Sequence, residues 1–143
     1  MRVVGLDVGA RRIGVAISDP TRTLARPVGV LRPPRGRNDV AAIQLAGDEI
    51  ARLAAEDDGV ETIVVGLPRH LDGTASKMTP RVQAFGDALG ARTGIPVHFQ
   101  DERLSSREAE SRLALREKDW RVRKERLDAA AAAVILQDYL DSL

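Results

Sequence analysis

Asp7 is the residue whose type and setting most clearly indicate chemistry in this sequence. It lies inside the apolar run Val3-Val4-Gly5-Leu6-Asp7-Val8, and Gly9 follows before a second apolar run begins at Ile13. A carboxylate beside a hydrophobic core is costly to bury unless a positive group meets it. Asp7 therefore indicates either a bound metal ion or a phosphate-binding loop, and taken alone it fits both equally well.

Two further acids have a similar setting. Glu102 follows the predicted strand from Ile95 to Phe99, and Asp128 lies in the predicted final helix. Asp128 shares a helix face with Ala132 and Ile135, so we expect its side chain at or beside the core. Since the first strand and the Ile95 strand can lie close in one sheet, with the final helix packed across it, the three acids can converge.

Three converging carboxylates repel one another, and divalent cations would relieve that repulsion. Hard oxygen ligands without His or Cys suit Mg²⁺ or Mn²⁺. Two such ions activate a water and stabilise the leaving oxygen during phosphodiester cleavage, so no nucleophilic side chain is needed. Asp7, Glu102 and Asp128 are therefore the candidate catalytic and metal-binding residues.

Each acid also has an ordinary structural interpretation. Asp7 could support a turn, and Asp128 could answer the dipole at the start of its helix. Glu102 could form a surface ion pair with Arg103 or Arg107. Because neighbouring residues of an extended segment face opposite ways, either Asp101 or Glu102 could point inward.

Composition narrows the class of protein. The chain has 143 residues and 43% hydrophobic residues, and it contains no cysteine. These values predict one domain over residues 1–143 and exclude disulfides, thiolate metal sites and a cysteine nucleophile. The scarcity of aromatic residues, 3% of the chain, argues against base-stacking platforms. Because no signal peptide or membrane-spanning stretch is predicted, we expect a cytoplasmic protein without a membrane partner.

Arginine is unevenly distributed although the net charge is only +1. Basic residues crowd two segments, 22–37 and 116–126, and such patches can either bind polyanions or be ordinary solvated loops. Four arginines lie near the loops of the predicted site and are candidates for binding substrate phosphates: Arg11, Arg12, Arg69 and Arg103.

The pattern of apolar runs and turn residues predicts the elements that position these side chains. Three strands come first, from Val3 to Val8, Ile13 to Ser18 and Leu24 to Leu31, joined by tight turns as an antiparallel meander. Next come a helix capped by Asn38, a strand from Thr62 to Gly66, a helix from about Thr74 to Ala91 and the Ile95 strand. The last two predicted elements are a helix that begins with a Ser105–Glu108 capping box and a helix from Lys124 to Leu140. Residues 117–123 are predicted to form a loop.

The predicted order βββαβαβαα indicates the α/β class. Strands followed by βα alternation give a mixed five-stranded sheet, a three-strand meander followed by βαβ units, with helices on both faces. In such sheets, sites gather at the carboxyl ends of the central strands. The predicted fold therefore brings Asp7 and the Glu102 segment towards the same edge.

Four ordered motifs resemble the YqgF family, nucleases linked to pre-16S rRNA and also described as Holliday-junction-resolvase-like. The motifs are residues 5–19 (GLDVGARRIGVAISD), 63–68 (IVVGLP) with 71–74 (LDGT), 101–106 (DERLSS) and 127–137 (LDAAAAAVILQ). The resemblance covers nearly the whole chain. It implies a ribonuclease H-like fold and a divalent-metal nuclease whose acids are Asp7, Glu102 and Asp128. The family often has Asn-Met before the Asp72-Gly73 step, where this chain has His70-Leu71, which puts a substrate contact by His70 in doubt.

The leading hypothesis is a metal-dependent nuclease that acts on structured RNA and processes the 5′ end of pre-16S rRNA. A resolvase of branched DNA, which would act as a symmetric homodimer, is the closest alternative. The Asp7 to Gly9 pattern also resembles the first phosphate loop of actin-like ATPases, although those enzymes need two such domains. A non-catalytic RNA-binding assembly factor is the remaining alternative, and three buried acids argue against it.

Overall fold

The structure, a computed structural model, describes residues 1–34, 38–70, 72–102 and 120–143, and for residues 120–128 it describes the backbone alone. The described ranges contain these elements: β1 (Arg2–Val8), β2 (Ile13–Ser18), β3 (Ala25–Leu31), α1 (Val40–Ala54), β4 (Val60–Leu67), α2 (Thr79–Thr93), β5 (Val97–Asp101) and α3 (Trp120–Asp141).

All five strands form one mixed sheet in the order β3-β2-β1-β4-β5. The first three strands pair antiparallel, while β4 pairs in parallel with both β1 and β5. This confirms the predicted meander followed by βαβ units. Because β1, β4 and β5 run in the same direction, their carboxyl ends meet at one edge of the sheet, which we call the carboxyl edge.

The side chains of β1 divide the core into two layers. Val4, Leu6 and Val8 belong to a cluster that includes residues of α1 and α2. Val3, on the alternate side, belongs to a cluster with Ile135 of α3. Since successive side chains of a strand face opposite ways, the sheet has α1 and α2 on one face and α3 on the other, as predicted.

The helix predicted from Thr74 begins instead at Thr79. The preceding residues turn back on themselves: the His70 N–H donates to the Thr74 carbonyl at 2.9 Å, and Arg69 forms an isolated β-bridge with Ala75. The Thr79 hydroxyl then donates to the Pro68 carbonyl. These backbone groups are already used by the turn, so the helix cannot start earlier.

The last parallel strand lies two residues later than predicted, at Val97–Asp101. Gly94 ends α2 in a left-handed conformation with φ of 71°, and Pro96 has no N–H to donate. Pairing therefore runs from Val97 opposite Ile63 to Asp101 opposite Leu67. This register brings residue 102 to the carboxyl edge.

The final helix is already formed at Trp120, so the loop predicted for residues 117–123 is wrong from Trp120 onwards. The predicted Ser105–Glu108 capping box and its helix lie outside the described residues. Within the described ranges, no helix is both long and apolar enough to cross a membrane.

Candidate active site

Asp7 lies at the carboxyl end of β1 on the face that α3 covers. A Cβ atom built on Gly5, two residues earlier, would lie 2.7 Å from the Leu136 Cβ atom of α3. Since side chains alternate along a strand, Asp7 points to this same face, and it is half-buried there. The first strand therefore carries its acid to the carboxyl edge, beneath the helix.

Glu102 approaches the same point from β5. Its N–H donates to the Leu67 carbonyl at 3.3 Å, which continues the pairing of β5 with β4 by one residue. The Glu102 side chain is half-buried, and its Oε2 atom is out of contact with solvent. Asp101 is exposed. The structure thus answers which of the two neighbouring acids points inward: it is Glu102.

The two carboxyl groups are close enough to change each other's protonation. Burial raises the pKa of Glu102 to about 8, and the negative charge of Asp7, a hydrogen bond with Asp7 and the charge of Asp101 add to the effect. Without a cation, Glu102 therefore holds its proton to a higher pH than an ordinary glutamate does, and its hydrogen bond places that proton between the two carboxyl groups. Two carboxyl groups that share a proton form a place where a positive charge is favourable.

The space for the Glu102 carboxyl group depends on Gly66 of β4. A Cβ atom on Gly66 would lie 2.7 Å from Glu102 Oε2 and 2.6 Å from Ile135 Cδ1. Gly66 is paired with Gln100 of β5. The missing side chain leaves a recess between the sheet and α3 that the carboxyl group enters.

The chemistry of these donors fits a hard divalent cation. Both described acids offer carboxylate oxygens, which suit Mg²⁺ or Mn²⁺, and a cation would replace the shared proton. Asp128 belongs to α3, one turn before Ala132, but its side chain lies outside the described residues. Over the described side chains alone, no group of three or more potential metal ligands gathers, so a third ligand remains a prediction.

Arg11 and Arg12 lie at the tip of the β1–β2 hairpin, next to Asp7. Together with Asp7 they line a cavity of about 240 Å³. The hairpin is closed by the Gly9 N–H, which donates to the Arg12 carbonyl at 2.8 Å. The cavity joins an acid to two basic residues, as expected for a site that accommodates a cation and a phosphate together.

The two other predicted phosphate contacts have different outcomes. Arg69 lies in the exposed turn after β4, and its Nη1 atom donates to the Gly73 carbonyl at 3.2 Å. Arg103 lies outside the described residues. Arg69 therefore follows the carboxyl end of β4 but also has a structural role in its own turn.

The Asp72-Gly73 step forms a turn. The Asp72 Oδ1 atom accepts hydrogen bonds from the Thr74 N–H at 2.9 Å and the Thr74 hydroxyl at 2.7 Å. These bonds lower the pKa of Asp72, the hydroxyl bond most. The Asp72-Gly73 step could serve as a turn or contact substrate, and the observed contacts are those of a turn.

Two features of this edge were not predicted from the sequence. One is the recess at Gly66. The other is an ion pair between Asp39, at the start of α1, and Arg81 of α2, with Nη2 and Oδ1 2.7 Å apart. A glycine at the end of an apolar strand was a readable signal for the recess, whereas nothing local to Asp39 or Arg81 indicates their pairing.

Known proteins similar to this chain agree with its architecture. A 42% identical protein of Moorella thermoacetica, named "Putative pre-16S rRNA nuclease", matches over all of this chain and 96% of its own length. The structure of Thermus thermophilus RuvC in complex with a Holliday junction substrate matches with a TM-score of 0.58 at 14% identity, over 99% of this chain and 94% of that one. That likeness supports the ribonuclease H-like fold.

A second structural likeness, over a smaller part of the chain, is to a hexokinase. A ROK hexokinase from Thermus thermophilus matches with a TM-score of 0.50 and 28% identity, covering 77% of this chain but only 38% of the kinase. The shared part is therefore less than half of the kinase.

The family profile also matches nearly the whole chain. The profile of the RuvX family, described as "Holliday junction resolvase", matches residues 1–142, and this is the family, also called YqgF, that the four sequence motifs resemble. With that match and the 42% identity over the full chain, this protein belongs to the RuvX family.

Proposed function

We propose that this protein is a divalent-metal-dependent nuclease that hydrolyses phosphodiester bonds in structured RNA, and that it matures the 5′ end of pre-16S rRNA in the cytoplasm. The observation that carries the proposal is the Asp7–Glu102 pair. At the carboxyl edge, burial first and then the neighbouring Asp7 raise the pKa of Glu102 to about 8. A protein gains little from such a pair unless a cation uses it.

Asp7, Glu102 and Asp128 would hold Mg²⁺ or Mn²⁺, with two ions as the expected number. Ions of this kind, when bound, lower the pKa of a water molecule and stabilise the leaving oxygen in phosphodiester hydrolysis. Asp7 and Glu102 must release their shared proton before they can act as ligands. Arg11 and Arg12, which line the cavity with Asp7, bind and orient the phosphate.

The RNA substrate is supported by the names of the relatives. The Moorella thermoacetica protein and a 38% identical protein of Listeria monocytogenes, matched over 99% of both chains, carry the same pre-16S rRNA nuclease name. Full-length matches at this identity support a shared substrate class.

The test is cleavage of a pre-16S rRNA fragment by Asp7→Asn protein. We expect cleavage with Mg²⁺ or Mn²⁺ to fall by at least about a thousandfold, of the order seen when a residue essential to the chemistry is removed. Folding and RNA binding should be preserved, because Asn has nearly the same shape as Asp. Asp57→Asn, in an exposed position after α1, is the matched control. If Asp7→Asn protein cleaves as fast as the wild type, the assignment of the metal-binding acids is wrong.

Resolution of Holliday junctions is the second candidate function. It is favoured by the description of the family profile. A resolvase acts as a symmetric dimer that makes paired cuts on a two-fold junction. Paired cuts in a synthetic four-way DNA junction by a dimeric form of the protein would support it, whereas a strictly monomeric protein that leaves junctions intact would rule it out.

Nucleotide hydrolysis and passive RNA binding are less well supported. The kinase likeness covers only 38% of the kinase, and actin-like enzymes bind their nucleotide between two domains. Tight ATP binding by calorimetry would favour that class. Failure to cut any RNA or DNA in a broad panel would favour a non-catalytic assembly factor.

A further inference from the structure

A second cavity adjoins the one that contains Asp7. It has a volume of about 260 Å³ and shares two lining residues, Ala10 and Arg11, with the cavity at Asp7. The other lining residues lie just after β3, just before and within α1, and in α2: Pro33, Pro34, Asn38, Asp39, Ala42 and Arg81. The tip of the β1–β2 hairpin therefore borders two neighbouring spaces along the carboxyl edge.

The polar wall of this second cavity is the Asp39–Arg81 ion pair. Arg81 binds the carboxylate with two nitrogens, Nη2 to Oδ1 at 2.7 Å and Nε to Oδ2 at 3.0 Å. The pair keeps some contact with solvent, with 34% of the Arg81 and 26% of the Asp39 side chain exposed. It is thus a rigid, charged feature with polar atoms available to a ligand.

Asp39 is not used in the way its position would predict. Aspartate at the N-cap of a helix normally accepts hydrogen bonds from the first N–H groups of the helix, but the Asp39 side chain makes no such bond. Asn38 accepts from the Val40 N–H instead, at 3.1 Å. The Asp39 carboxylate is thereby left to Arg81 and to the cavity.

Holding α1 against α2 does not by itself explain the pair. The same two helices are also joined by Asp48 and Arg92, a looser pair at 3.9 Å whose side chains are 72% and 46% exposed. That second pair is absent from the lining of either cavity. The two ion pairs share a connecting role, and they differ in that only the Asp39–Arg81 pair lines a cavity beside the acids.

We propose that the second cavity binds the nucleotide next to the cleaved bond, a role that rests on the proposed nuclease function. A polynucleotide continues beyond the bond that is cut, so its next residue needs a place beside the catalytic cavity. Arg11, which borders both spaces, contacts the intervening phosphate. The Asp39–Arg81 pair hydrogen-bonds the sugar hydroxyl and base edge, and Pro33 and Pro34 provide apolar contact.

The test measures binding of a single-stranded RNA oligonucleotide by fluorescence anisotropy, in Asp7→Asn protein so that no cleavage occurs. We expect Asp39→Asn/Arg81→Gln to bind about tenfold more weakly, as for the loss of one good hydrogen-bonded contact. Its salt dependence should be unchanged, because the double change leaves the net charge the same. Arg11→Gln, by contrast, should reduce the salt dependence by about one phosphate contact.

Asp48→Asn/Arg92→Gln is the matched control, because it removes an ion pair between the same helices away from the cavity. Equal binding by the two double variants, with equal unfolding temperatures, would overturn the subsite. If the Asp39→Asn/Arg81→Gln protein unfolds, Arg81→Lys replaces it. Lysine keeps the positive charge but cannot bind the Asp39 carboxylate in a bidentate manner. Unchanged RNA binding by Arg81→Lys protein would therefore also overturn the subsite.

The outcomes also separate this proposal from the proposed function. Weaker binding by the Asp39→Asn/Arg81→Gln protein alone, together with a wild type that cleaves no nucleic acid, leaves a nucleotide subsite without a nuclease. Cleavage that depends on Asp7, together with equal binding by both double variants, leaves a nuclease without this subsite.

Discussion

Gly66→Ala should weaken cation binding while leaving the fold in place. The added methyl group would lie 2.7 Å from Glu102 Oε2 and 2.6 Å from Ile135 Cδ1, whereas ordinary contacts begin at 3.4 Å. Both atoms are ends of flexible side chains, so they can move apart. The change therefore acts on the acid more than on the backbone.

The size of the effect follows from these distances. To restore ordinary contact, the Glu102 carboxylate must move by about 0.7 Å. A metal ligand must lie within roughly 0.2 Å of its preferred distance, so this movement is too large to tolerate. Loss of support for a ligand typically lowers metal affinity or activity 10- to 100-fold, and we expect a decrease in that range. Overpacking should lower the free energy of unfolding by about 1–3 kcal/mol.

Mn²⁺ binding measured by isothermal titration calorimetry is the assay, with chemical unfolding followed in parallel. Ile135→Val removes the Cδ1 atom, so the Gly66→Ala/Ile135→Val protein retains only the conflict with Glu102. Gly86→Ala is the matched control. Its methyl group would lie 2.6 Å from the ring of Phe99 on the opposite face of the sheet, where it can lower stability without touching the acid.

The reasoning would be refuted if Gly66→Ala/Ile135→Val protein bound Mn²⁺ as tightly as Ile135→Val protein. It would also fail if Gly86→Ala weakened Mn²⁺ binding to the same extent, because the loss would then reflect general destabilisation. Gly5→Ala is the contrasting substitution, because its added methyl group would meet atoms of α3 that are held in place by the helix. Its methyl group would lie 2.7 Å from Leu136 Cβ and 3.2 Å from the Ala132 carbonyl oxygen, atoms that cannot move without the helix.

Three further predictions concern pH and stability. Because Glu102 has a pKa of about 8 in the folded protein against 4.5 as the ordinary value, the metal-free folded state binds the extra proton between these values. Its free energy of unfolding should therefore fall by up to about 5 kcal/mol as pH rises from about 4.5 to 8. Urea unfolding in the presence of EDTA would measure this decrease. An equally steep decrease in Glu102→Gln protein would contradict the prediction. Arg2→Met should lower the free energy of unfolding by about 2–4 kcal/mol, measured by thermal unfolding. The reason is that buried Arg2 donates to the carbonyls of Leu53 and Gly59, and hydrogen bonds from a charged group are strong. A variant as stable as the wild type would exclude this role. Gln137→Leu should cost about 1–3 kcal/mol, because the Gln137 amide accepts from the N–H of Ala25 in β3 and donates to the carbonyl of Thr23 just before it, and both groups would lose this partner. Hydrogen exchange in β3 at the same rates as in the wild type would argue against it.

Local patterns were sufficient for most of the fold. Alternating apolar residues and tight turns predicted the meander, and the βα alternation predicted the parallel half of the sheet, both confirmed by the strand order. One error lies where a turn competes with a helix. The segment from Arg69 to Ala75 pairs with itself, which delays α2 to Thr79.

For the site, the sequence by itself determined which residue types are available and which strand end carries Asp7, because alternation along β1 is a local property. Only the tertiary structure decided that Glu102 rather than Asp101 faces Asp7, since this depends on the register of β5 against β4. It also decided the recess at Gly66 and the pairing of Asp39 with Arg81. These features depend on contacts between segments distant along the chain, and such contacts form only when the sheet and its covering helices are assembled.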